Sequence, residues 1–111
     1  MTVREVNTDN DTFLRYADQP MIAFVMFFNQ SRTAAADSLM QIMTQEMIEA
    51  AIKHGGRYYL PYRRHATVAQ LNRAYPQARA FFDLKRQYDP HEIFQNQFYV
   101  TYGSNKAGLY E

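Results

Sequence analysis

The chain has 111 residues, enough for one domain with one modest core. Apolar residues make up 47% and aromatic residues 15%, which excludes a disordered composition. There is no cysteine, so disulfides, thiolate metal ligands and cysteine nucleophiles are all excluded, and the net charge of +1 gives no overall bias toward nucleic acid.

Taken in chain order, TVREV (2–6) has weak strand character, and a polar connector rich in Asn and Asp runs from there to Pro20. The stretch from Met21 to Phe28 is the longest apolar run, with eight residues, too short to span a membrane. Ile22, Phe24, Met26 and Phe28 alternate with Met21, Ala23, Val25 and Phe27, so both faces are apolar. That pattern predicts a central strand covered on both sides. A domain this small has difficulty covering both faces of a sheet, a first hint of a missing partner.

Residues 33–54 predict the longest helix. Leu39, Ile42, Met43, Met47, Ala50 and Ala51 recur at helical spacing. Ser31 or Thr33 can cap its start, Asp37 suits the positive end of the dipole, and Gly55 or Gly56 supplies the C-terminal left-handed residue. The methionine stripe reads as core packing rather than as a cofactor box.

RYYL (57–60) predicts a short strand stopped by Pro61. Thr67 and Gln70 form a capping-box pattern, and PQARAFFDLKRQY predicts a second short helix with Phe81, Phe82 and Tyr88 on its buried side. Asp89, Pro90 and Glu92 give another helix-start signature. QFYVTYG (97–103) alternates as a last strand, and residues 104–111 read as a loose polar tail. The expected fold is one α+β domain over residues 1–103. It has a small, mostly antiparallel sheet, one long helix (about 33–54) and two or three short helices (about 67–94). The N-terminal segment lacks the apolar core of a secretory signal, so the expected location is the cytoplasm.

Charge is unevenly spread. Residues 1–52 carry three basic and seven acidic groups, residues 53–86 eight basic and one acidic, and residues 87–111 one basic and three acidic. The basic middle third suits phosphates, an acidic substrate or an acidic neighbouring surface, or is simply a solvated face. Arg–Tyr interleaving also suits single-stranded nucleic acid, but no RNA-binding signature accompanies it.

The chain holds no GxGxxG, P-loop, GxSxG or HExxH motif, and its four glycines are too few for a nucleotide cradle. His54, His65 and His91 match no metal-ligand spacing. His65, beside Arg63 and Arg64, is a poor general base because like charges lower its pKa. The densest chemistry lies in RYYLPYRRH (57–65). Tyr58, Tyr59 and Tyr62 can stack on a flat ring and donate hydrogen bonds, and Arg57, Arg63 and Arg64 can clamp a carboxylate or phosphate. The same residues also suit an ordinary loop, with tyrosines in the core and arginines paired to acids.

The second half resembles the C-terminal end of FAD-linked oxidases of the vanillyl-alcohol oxidase type, which include sugar-lactone and alditol oxidases. The resemblance rests on Tyr75–Pro76, Phe81, Phe82, Lys85, Arg86, Asp89–Pro90, Phe94 and Asn96, and covers residues 12–103. It implies the later part of a substrate or cap domain, without the FAD-binding half. The sugar oxidases carry a His-Trp-Gly-Lys-like stretch facing the flavin, where this chain reads Tyr59–Leu60–Pro61–Tyr62. By position, the resemblance makes Tyr59, Tyr62 and then Arg57 the substrate-side residues, and Phe94 and Asn96 the residues facing the flavin domain. It further implies that FAD is held only together with a separate FAD-binding domain or subunit, and that the chain is silent alone. The competing expectation is a stand-alone binding or dimerisation module, with two copies burying the exposed face.

Overall fold

A computed structural model describes residues 1–104. Its longest element, α1 (Ala34–Lys53), starts where Thr33 caps it: the Thr33 hydroxyl accepts the Ala36 N–H at 3.2 Å. It ends at His54. Gly55 takes φ +72°, and the Gly56 N–H closes on the Ala51 carbonyl at 2.7 Å. Three shorter helices follow, α2 (Val68–Ala74), α3 (Ala78–Tyr88) and α4 (Gln97–Tyr102). The capping box at the head of α2 is complete: the Gln70 N–H donates to the Thr67 hydroxyl, and the Thr67 N–H donates to the Gln70 side chain, both at 3.1 Å.

The sheet is an antiparallel pair, β1 (Thr2–Val6) and β2 (Met21–Val25), so the fold is α+β as expected. Val3 stands opposite Phe24, and Glu5 opposite Ile22. Directly opposed residues share a face, so Val3, Phe24 and Ile22 lie together, each more than half exposed. The other face carries Val6, Met21, Ala23 and Val25, all half-buried. The expectation of a central strand covered on both sides is therefore corrected: β2 has one partner strand and one open face. An isolated two-stranded sheet is marginal by itself.

Two expected strands are not formed. At residues 57–60 the backbone is irregular: the Tyr58 carbonyl accepts the Tyr75 hydroxyl, and Pro61, next along the chain, has no N–H to offer a ladder. Residues 97–102 are helix α4. The Asn96 side chain accepts the Tyr99 N–H at 2.8 Å, and Tyr99 and Tyr102, three apart, both enter the core. Over six residues, strand and helix periods fit the same letters; burial of that pair decides between them.

The helix expected from Asp89 is a single turn. The Asp89 carboxylate accepts the N–H groups of Ile93 and Phe94, each at 2.9 Å, four and five residues on, beyond the second and third positions that an N-cap holds. Glu92 then takes φ +50°, outside the helical region, and ends the turn.

The core is helical and lies away from the hairpin. Ile48, Ala66, Leu71, Ala74, Tyr75, Ala78, Phe82, Tyr99 and Tyr102 form it. Phe82 sits among aromatic rings, with Phe81 at 5.6 Å, Phe98 at 5.7 Å and Tyr99 at 5.9 Å between centroids. Tyr88, expected on the buried side of α3, is exposed instead. On α1 the buried residue is Ile48, while Leu39 and Ile42, expected in the core, face solvent. The helix is apolar on more than one side, and α2 covers only one of them. Among the described residues, no helix is long and apolar enough to cross a membrane. Of the tail expected to be loose, residues 105–111 lie outside the described residues.

Candidate functional site

The segment from Arg57 to His65 folds as an irregular loop whose side chains part in different directions. Arg57 turns inward. Its guanidinium donates to the Arg15 carbonyl at 2.6 Å, pairs with Asp18 and lies 5.4 Å from the centre of the Tyr75 ring. With only 12% of its side chain exposed, it clamps the 15–18 segment against the core. Tyr58 also turns inward, meeting Tyr75 edge-on at 5.7 Å. Burial raises both phenols well above the ordinary value of 10, and the Tyr58 hydroxyl is buried with no hydrogen-bond partner among the described residues.

Tyr59 and Tyr62 turn outward. Their rings meet edge-on at 5.1 Å, and Tyr16 extends the row with a second edge contact to Tyr59 at 5.4 Å. Tyr62 is 69% exposed. The three rings make a short aromatic ridge on the surface, available to a planar or apolar neighbour.

Beyond the ridge the loop borders a groove of about 640 Å³. Tyr62, Arg63, Arg64 and His65 line one side, Asp37 and Gln41 of α1 another, and Asn96, Gln97 and Phe98 the third. Arg63 pairs with Asp37 and donates to Gln30 at 2.9 Å. Hydrogen bonds from Gln30 and then Arg63 hold the Asp37 carboxyl below its usual range. Arg64 donates to the neutral Gln97 side chain at 2.7 Å and has no carboxylate partner among the described residues. His65 is buried. Its Nδ1 lies 3.2 Å from the Thr44 hydroxyl, and its backbone carbonyl accepts from Gln45 at 2.7 Å. Burial first, and the nearby Arg63 charge second, lower its pKa and favour the neutral ring.

The expected site residues are thus divided. Tyr62 and Asn96 share the groove. Tyr59 adjoins Tyr62 on the ridge. Arg57 lies in a second hollow of about 350 Å³, beside Asp11, Arg15, Asp18 and Gln77. Phe94 is 78% exposed and lines neither hollow. Asn96 spends its side-chain oxygen on capping α4. Arg64, one of the arginines able to clamp a carboxylate or phosphate, stands opposite Gln97 only because 97–102 is helical. Among the described residues, no cluster of His, Asp and Glu is placed to hold a metal ion.

The fit to FAD is partial. The ridge offers ring edges to a flat heterocycle, and the groove offers guanidinium and amide donors. The chain supplies no glycine-rich turn for a pyrophosphate, and Gly55 and Gly56 are used in closing α1. These residues do not make a whole FAD site by themselves. Compared with known proteins, the chain matches no family model, no curated protein and no solved structure.

Proposed function

We propose that this chain is the C-terminal, substrate-domain portion of an FAD-dependent oxidoreductase acting on a hydroxyl-bearing substrate, and that it works against a separate FAD-binding domain. The observation that carries this reading is unpartnered apolar surface on two elements. Val3, Ile22 and Phe24 share the open face of the hairpin, Phe27 beyond it is 84% exposed, and Leu39 and Ile42 are exposed on α1. Large apolar side chains left exposed on the same element suit an interaction face. The resemblance of residues 75–96 to FAD-linked oxidases supplies the kind of partner, and the partial fit to FAD accords with a cofactor held elsewhere.

In this reading FAD supplies the electron acceptor, and the chain supplies positioning. Tyr62 and Tyr59 would face the flavin, and the Tyr62 phenol would orient a substrate hydroxyl. Arg57 serves the loop rather than the substrate. The chain alone is catalytically silent, and its setting is the cytoplasm.

The second reading, a stand-alone binding or dimerisation module, is favoured by the same open hairpin face, which a second copy could bury. Sedimentation velocity separates the two. The oxidoreductase reading predicts a chain that associates weakly with itself and forms a defined complex with the FAD-binding domain of such an oxidase. A tight homodimer indifferent to that domain supports the module.

A further inference from the structure

We infer that the groove beside Arg64 binds a small organic carboxylate, with the acid group seated on the Arg64 guanidinium. Two guanidinium groups and one carboxylate line the groove, and the carboxylate, Asp37, is already engaged by Arg63 and Gln30. His65 is buried against Thr44, and burial disfavours its charged form. Among the described residues the lining therefore keeps one uncompensated positive charge, and it belongs to Arg64.

Arg64 is also oriented. It is exposed, and its Nη1 donates to the Gln97 oxygen at 2.7 Å, which holds the fork toward α4 while leaving its other N–H groups for a ligand. A carboxylate fits that fork with two parallel hydrogen bonds, and a charge-assisted pair is stronger than the bond to a neutral amide. Further donors stand around it. The Asn96 oxygen accepts from the backbone of α4 and the Gln97 oxygen from Arg64, so both amide NH₂ groups are left to donate. The Tyr62 phenol adds a group that both donates and accepts. An acid group on Arg64 with hydroxyls running toward Tyr62 is the ligand these groups describe: a hydroxy acid.

This rests on the oxidoreductase reading only for the substrate's role; the binding itself needs no flavin. The test is a titration of the isotope-labelled full chain, followed by backbone amide resonances, with gluconate, with sorbitol as the uncharged polyol, and with inorganic phosphate. The expected result is saturable shifts at Arg64, His65, Gln97 and Phe98 with gluconate and none with sorbitol. Arg64→Gln should weaken gluconate binding about tenfold or more, and Arg64→Lys, which keeps the charge but loses the fork, should weaken it less. Arg15→Gln, in the other hollow, should leave it unchanged. Equal shifts with gluconate and sorbitol, or unchanged binding in a folded Arg64→Gln chain, would overturn the site. Tighter binding of phosphate than of gluconate at the same residues would overturn the carboxylate assignment. Failure here leaves the flavin-domain reading standing, because that reading is tested by complex formation and not by this titration.

Discussion

The Tyr102 hydroxyl donates a 2.9 Å hydrogen bond to the Ala66 carbonyl, joining the end of α4 to the loop that leads into α2. Both groups are buried, and burial raises the Tyr102 phenol to about 12. The bond fixes one wall of the groove, because Arg64 and His65 immediately precede Ala66 and Gln97 lies on α4. Tyr102→Phe keeps the ring and leaves the Ala66 carbonyl unpaired. The expected cost is about 1–3 kcal/mol of unfolding free energy in urea, with little change in the denaturant slope.

Gly103 follows Tyr102 where backbone and ring meet. A Cβ at this position would overlap the Phe82 ring, which is itself held among Phe81, Phe98 and Tyr99 and has little room to move. Gly103→Ala is expected to destabilise the chain by about 1–3 kcal/mol. Gly103→Ala combined with Phe82→Leu should recover part of what Gly103→Ala loses, a non-additivity that a double-mutant cycle in urea would measure.

His65 gives the stability a pH dependence. Its folded pKa lies below 6.5, so the unfolded chain binds the proton more readily than the folded one. Its contribution is present in full above pH 6.5, and it is lost as pH falls from there through the lowered folded value. His65→Gln can keep a hydrogen bond to Thr44 without titrating. Unfolding free energies measured across this window should fall with acidification in the natural chain and fall less steeply in His65→Gln.

The open hairpin face predicts a separation of stability from assembly. Ile22 and Phe24 are both more than half exposed and face away from the helical core. Ile22→Lys with Phe24→Lys is expected to change the unfolding free energy by less than about 0.5–1 kcal/mol, as surface substitutions usually do. It should still abolish complex formation with an FAD-binding domain, and any self-association, as read by sedimentation. Loss of folding in this double variant would show that the face is packed within the chain.

Parts of this fold are legible in the sequence for local reasons. Thr33, Gly55 and the Thr67–Gln70 pair act on backbone groups within four residues of themselves, so their letters predict α1 and the start of α2. What is not legible depends on distant partners. Where a strand is expected at 57–60, the Tyr58 carbonyl instead accepts the hydroxyl of Tyr75, seventeen residues away. Arg57 looks like a ligand clamp in isolation, and becomes a structural clamp only through Asp18 and the Arg15 carbonyl, about forty residues back. Arg64 and Gln97 are 33 residues apart, and their meeting depends on α4 being a helix rather than the strand its alternation suggests.

The central claim is that the apolar faces of this chain are covered by a flavin-binding domain. Its most direct test is the flavin content of a purified one-to-one mixture of this chain with an FAD-binding domain of the resembled oxidase type. The account predicts a stable complex holding one FAD, no flavin on the chain alone, and no complex with the Ile22→Lys, Phe24→Lys variant. A chain that retains stoichiometric FAD without a partner, or that stays a free monomer in the mixture, would contradict it.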